Sequence, residues 1–172
     1  MPDRVIAETK YLRFIDRDGW FFVERPNASG VAVIVAVTDE GRLLLVEQFR
    51  AALNQKVIEL PAGLAGDDHE HASEVMETAA RRELMEETGY ACETMEALVT
   101  CASAPGLASE VMTLFRASGL RKLGPGGGVA GEDIIVHEVP LADVHGWLKA
   151  RADAGALVAI KVYAGLFFTS RP

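Results

Sequence analysis

Apolar positions recur along this chain in two rhythms, an alternating or continuous one typical of strands and a three-to-four-residue one typical of helices. Residues 20–24 (Trp-Phe-Phe-Val-Glu) predict a short strand, closed by the turn cluster Arg-Pro-Asn-Ala-Ser-Gly at 25–30. Residues 31–37 form an apolar β-branched run that predicts a strand buried on both faces. Asp39-Glu40-Gly41 then makes a turn, and 42–49 supplies the hairpin partner. A short strand at 57–60 stops at Pro61, and helical character runs from about 72 to 88, with Gly89 as its C-terminal stop. Further strands are expected near 97–101, 111–116 and 134–139, and helices at 141–152 and 156–168 close the chain. With no repeat, heptad or linker in the sequence, the mixture predicts one α/β domain over 1–172, a sandwich around a mixed sheet.

The central helix carries the chemistry. Val75, Ala79 and Leu84 are expected to face the core, with Ala80 near that boundary. Glu74, Arg82, Glu83, Glu86 and Glu87 take the polar side. Glu83 and Glu87 are four apart and Glu86 lies three beyond Glu83, so all three project from one face, a turn apart. Like charges stacked this way cost a few tenths of a kcal/mol per pair. A chain that keeps such a cluster has a use for it, and carboxylate oxygens are what divalent cations take. Arg82 can bridge two of the carboxylates bidentately, and Glu74 can reach the same network. The competing reading is a solvated helix with ordinary charge pairs.

Composition narrows the classes. A chain of 172 residues can bury a real core, and 49% apolar with 24% charged residues is ordinary for a soluble protein. A net charge of −8 argues against a nucleic-acid backbone as partner and suits metal binding. Cys92 and Cys101 have neither metal-site nor disulfide spacing and read as small buried apolar residues in a reducing compartment. The opening Met-Pro-Asp-Arg lacks a signal-peptide apolar core, and the apolar run 156–168 is too short to span a bilayer and contains Lys161. A cytoplasmic location is expected.

Glu74, seven residues, then Arg82-Glu83-Leu84-Met85-Glu86-Glu87-Thr88-Gly89-Tyr90 resembles the signature of the Nudix hydrolase family, with Tyr90 in its final aliphatic slot. The signature's opening glycine matches Gly63 of Pro61-Ala62-Gly63, leaving ten residues before Glu74 where the pattern has five. The resemblance implies a Nudix-like α/β/α sandwich and hydrolysis of a diphosphate linked to another moiety, with magnesium or manganese. It also implies Glu83 and Glu87 as metal ligands, Glu86 as ligand or neighbouring partner, and the Ala62 carbonyl as a further ligand. Glu74 and Arg82 become the network that holds them.

Features outside the signature bear on substrate. Gln48-Phe49-Arg50, Glu59-Leu60-Pro61-Ala62-Gly63, Ala104-Pro105-Gly106-Leu107 and the run 132–141 resemble the branch that contains ADP-ribose pyrophosphatases. Pro105 lies sixteen residues beyond Gly89, a spacing that accompanies ADP-ribose activity in that branch. Arg50 is a candidate phosphate ligand, because guanidinium matches phosphate geometry. Glu59, Pro105, Gly106 and Trp20 join it as candidate substrate contacts, Trp20 through stacking on adenine. The branch also implies a homodimer built on N-terminal strands within about 1–30. Two acids compete as general base: Glu132, behind the Gly-rich loop Gly124-Pro125-Gly126-Gly127-Gly128 that could deliver it, and Glu110, just after the Pro105 turn.

Other signals are weaker. Residues 126–131 satisfy Gly-x-Gly-x-x-Gly but precede a strand instead of opening a helix, so a dinucleotide site fails its context. His69 and His71 among Asp67, Asp68 and Glu70 read as a solvated acidic loop before a metal site. Three functions stay open: hydrolysis of ADP-ribose to AMP and ribose 5-phosphate, hydrolysis of GDP-mannose or another nucleotide sugar or dinucleotide, and noncatalytic nucleotide sensing.

Overall fold

The computed structural model describes residues 3–66, 75–129 and 131–169. Thirteen strands and three helices are assigned among them. Strands β1 (Arg4–Glu8), β2 (Arg13–Arg17) and β3 (Trp20–Glu24) form an antiparallel N-terminal sheet. The long strands follow: β4 (Gly30–Ala36), β5 (Arg42–Arg50), β6 (Gln55–Glu59) and β7 (Ala62–Ala65). After helix α1 (Met76–Thr88) come β8 (Tyr90–Ala91), β9 (Thr94–Ala102), β10 (Val111–Ser118), β11 (Arg121–Lys122) and β12 (Ile135–Pro140). Helix α2 (Val144–Asp153), strand β13 (Leu157–Val158) and helix α3 (Ile160–Thr169) complete the order.

Two four-stranded mixed sheets, β7-β4-β10-β9 and β12-β5-β6-β13, carry the core. Strand β4 runs parallel to β10 and antiparallel to β7. Its side chains alternate as the pleat requires: Ala32, Ile34 and Ala36 pack with Ala79, Ala80 and Leu84 of α1, while Val33 and Val35 pack with Leu148 of α2 and Val162 of α3. Helices therefore cover both faces, which is the expected α/β/α sandwich. A strand buried on both faces must be apolar at every position, and residues 32–36 are. Each fully buried Leu or Ile here contributes about 1.5–3 kcal/mol.

Several expectations change. Strand β5 pairs with β6 and β12, and among the described residues its backbone pairing with the 31–37 run is the isolated Val37–Leu43 bridge just beyond β4, so 42–49 is not the ladder partner of 31–37. The reason is its own two-sided burial: Leu43 and Leu45 join one core cluster and Leu44 the other. The central helix is described from Met76, and Val75 is an extended, exposed N-cap residue, not a core one. Strand β7, directly after Pro61, is not legible in the sequence because Ala-Gly-Leu-Ala has weak strand propensity; its ladder to β4 makes it. Residues 157–158 pair in parallel with Val57–Ile58 as β13, delaying the last helix to Ile160. Cys101 is exposed on the edge strand β9, and Cys92, between β8 and β9, is only half-buried. Among the described residues no helix is long and apolar enough to cross a membrane.

Candidate active site

The end of α1, the β6–β7 corner and the end of β5 meet at a cavity of about 420 Å³. Arg50, Ala62, Gly63, Glu83, Glu87, Glu110 and Glu132 line it, together with Arg25, Gln48 and Lys161. Glu83 lies over Gly63 so closely that a Cβ at 63 would fall 1.9 Å from its carboxyl carbon. Any larger residue there would have to displace the Glu83 carboxylate. The Ala62 N–H donates to Glu87 Oε2 at 2.9 Å, tying the β7 turn to the last turn of α1. Arg82 Nη1 donates to Glu83 Oε1 at 2.7 Å and to Glu86 Oε2 at 3.1 Å, and Nη2 donates to the Leu64 carbonyl at 3.1 Å. The expected arginine bridge is thus present and also reaches β7. Glu74 lies outside the described residues.

Glu87 was expected on the polar face, yet it is only 5% exposed. The helix turns that face toward β7, not toward water. Burial, and then the neighbouring charges of Glu83 and Glu132, push its carboxyl up to about 8 despite the Ala62 hydrogen bond and the pull of Lys161. Burial likewise raises Glu83, against the opposing pull of Arg82. Among the described residues no three His, Cys, Asp or Glu side chains converge into a ready-made cation cage. The donor set still fits magnesium, which keeps several waters and needs one or two carboxylates. Two carboxylates held where ionisation is unfavourable are what a divalent cation would neutralise.

Glu59 is buried, and its carboxylate binds Arg50 Nε on Oε1 and Lys161 Nζ on Oε2, the latter at 2.5 Å. Burial alone would raise its carboxyl, but the two cations outweigh that and hold it below the ordinary range. Glu59 therefore faces its cations, not the cavity, and differs from the expected substrate contact.

The two candidate bases part here. Glu110 is ion-paired to Arg25 at 2.8 Å. Glu132 accepts the Val129 N–H at 2.9 Å and packs where Gly128 lacks a side chain, and its charge acts on Glu83, Glu87 and Arg50. The glycine loop owes its composition to α1. Gly127 N–H donates to the Glu87 carbonyl and Gly128 N–H to the Glu86 carbonyl, both at 2.9 Å. A Cβ on Gly126 would lie 2.4 Å from the Thr88 carbonyl carbon. The loop thus caps the helix end and is pinned at 127–128.

Pro105, Gly106 and Trp20 are not among the residues lining the cavity. Pro105 and Gly106 sit in the β9–β10 loop, which is stitched to β3 by Val23 N–H to the Leu107 carbonyl and Ser109 N–H to the Val23 carbonyl. Trp20 is 80% exposed beside the tight Asp18-Gly19 turn. Conversely, Lys161 and Arg25 escaped sequence reasoning. The signal for Lys161 was present: a lone cation in an otherwise apolar helix.

The NUDIX domain profile matches residues 28–155. This chain belongs to the Nudix family. It is 33% identical over 135 residues to the methanol dehydrogenase activator of Bacillus methanolicus, covering 77% of this chain and 70% of that protein. It is 37% identical over 94 residues to the ADP-ribose pyrophosphatase of Bacillus subtilis (strain 168), covering 55% of this chain and 48% of the relative. The chain thus spans about half the length of that pyrophosphatase. The crystal structure of an ADP compounds hydrolase superposes over 100% of this chain and 95% of its own, with TM-score 0.69 and 19% identity. That likeness shows a shared fold.

Proposed function

We propose that this Nudix protein is a divalent-metal-dependent diphosphohydrolase that cleaves ADP-ribose to AMP and ribose 5-phosphate. One observation carries the reading: buried Glu87 and partly buried Glu83 line a single cavity together with Arg50 and Glu132. Magnesium, or manganese, held by Glu83 and Glu87 with Glu86 and the Ala62 carbonyl in support, would neutralise phosphoryl charge and acidify an attacking water. Arg50 binds a phosphoryl oxygen. Glu132 takes the proton of the attacking water as general base. Water adds to one phosphorus, the bridging P–O bond breaks, and the bridging oxygen leaves with the other phosphate. Arg82 fixes the rotamers of Glu83 and Glu86 so that the carboxylates wait in place.

The identity to an ADP-ribose pyrophosphatase supports the nucleotide. The Pro105 loop and the exposed Trp20 and Phe21 are not among the residues lining the cavity; in the homodimer read here they would meet substrate from a second copy packed on the β1–β2–β3 sheet. We read the chain as one catalytic domain, homodimeric through that sheet, with a small nucleotide derivative as partner and a cytoplasmic setting. The test is a screen of ADP-ribose, GDP-mannose, NADH and nucleoside triphosphates, with and without magnesium, products identified. ADP-ribose is expected to give AMP and ribose 5-phosphate. Preference for GDP-mannose would move the substrate, and cleavage of none would favour a noncatalytic nucleotide sensor.

A further inference from the structure

The cavity lining combines several carboxylates with two cations that share one buried anion. Arg50, the last residue of β5, and Lys161, on the first turn of α3, occupy separate oxygens of Glu59. One cation would balance Glu59. The second leaves the group with a net positive charge, and both side chains line the cavity. The Lys161 side chain is only 13% exposed, so it has given up much of its hydration. Such a buried ammonium is costly for a purely structural contact, since Arg50 already satisfies Glu59. Its helix is held hard against the sheet: a Cβ on Gly165 would lie 2.6 Å from Leu60 Cδ1, so a larger residue there would push α3, and Lys161 with it, away. Lys161 lies beyond residue 155, where the match to the family profile ends.

We infer that Lys161 is a phosphoryl-binding residue of the cavity, and that Glu59 is the positioning group presenting Lys161 and Arg50 together as a two-cation clamp. A diphosphate carries two anionic groups joined by one oxygen. The clamp takes non-bridging oxygens on one side while the carboxylates serve the other, setting the substrate across the site. This rests on reading the cavity as a diphosphate site.

The test compares Lys161→Met, Lys161→Arg and Glu59→Gln in magnesium-dependent hydrolysis of ADP-ribose, and separately in calorimetric binding of inorganic diphosphate with magnesium. Loss of one charge-assisted contact corresponds to roughly tenfold or more. Lys161→Met is expected to raise KM at least about tenfold with kcat reduced less than about threefold, and to weaken diphosphate binding about tenfold. Lys161→Arg is expected to recover most of both, which a merely structural contact would not require. Glu59→Gln is expected to raise KM similarly, because both cations lose their anchor. KM and diphosphate affinity within about twofold of wild type in Lys161→Met would overturn the clamp. Should that variant not fold, an unchanged KM in Glu59→Gln would do so. If wild type cleaves no nucleotide while diphosphate binding still depends on Lys161, the proposed reaction falls and the clamp stands. If ADP-ribose is cleaved regardless of Lys161, only the clamp falls.

Discussion

Glu87→Gln separates what this carboxylate does for the reaction from what it does to the fold. Its carboxyl is moved from an ordinary 4.5 to about 8, chiefly by burial. A group whose folded value is raised holds its proton longer in the folded than in the unfolded chain. Its stabilising contribution is complete below about pH 4.5 and is lost as pH climbs through about 8. At roughly 1.4 kcal/mol per pH unit, full ionisation sets a ceiling of about 5 kcal/mol. The open side of the cavity admits water, which reduces this to about 1–3 kcal/mol. Glutamine keeps an acceptor for the Ala62 N–H and never ionises. In urea titrations with a chelator, Glu87→Gln should match wild type within about 0.5 kcal/mol at pH 4.5 and exceed it by about 1–3 kcal/mol at pH 9. Magnesium should narrow the gap by stabilising wild type alone. Turnover should fall at least about 100-fold. A gap of the same size at every pH, or a variant less stable than wild type at pH 9, would show that burial does not act on Glu87 as described.

Gly63→Ala places a Cβ 1.9 Å from the Glu83 carboxyl carbon, so it should displace Glu83 and raise the magnesium concentration for half-activity at least tenfold; unchanged metal dependence would contradict the packing. Glu132→Gln should lower kcat by about 100-fold or more and Glu110→Gln by less than about tenfold, read from steady-state kinetics, and the reverse order would hand the base role to Glu110. Because Glu59 is held below the ordinary carboxylate range, its contribution to stability is present above about pH 4.5 and lost as pH falls through its lower folded value. Acid unfolding followed by circular dichroism should therefore begin at higher pH in Lys161→Met, where one of the cations depressing Glu59 is gone. Gly126→Ala, at φ +70 and against the Thr88 backbone, should cost about 2–4 kcal/mol in urea titration, since both strain and clash act there.

Much of this protein was legible because local rules fix it. The β-branched run at 31–37 has no polar position to expose, so it had to become a doubly covered strand. The spacing of Glu83, Glu86 and Glu87 beside Arg82 had to put charge on one helical face, and the Arg82 bridges follow from that spacing. What the sequence could not say was which way that face points. Only packing against β7 buries Glu87 and turns an acidic stripe into a pair of carboxylates held where ionisation is unfavourable. Only the fold brings Lys161, far along the chain, onto the same Glu59 that holds Arg50. Spacing reports neighbours along one element. Desolvation and charge pairing depend on which elements meet, and long-range contacts alone decide that.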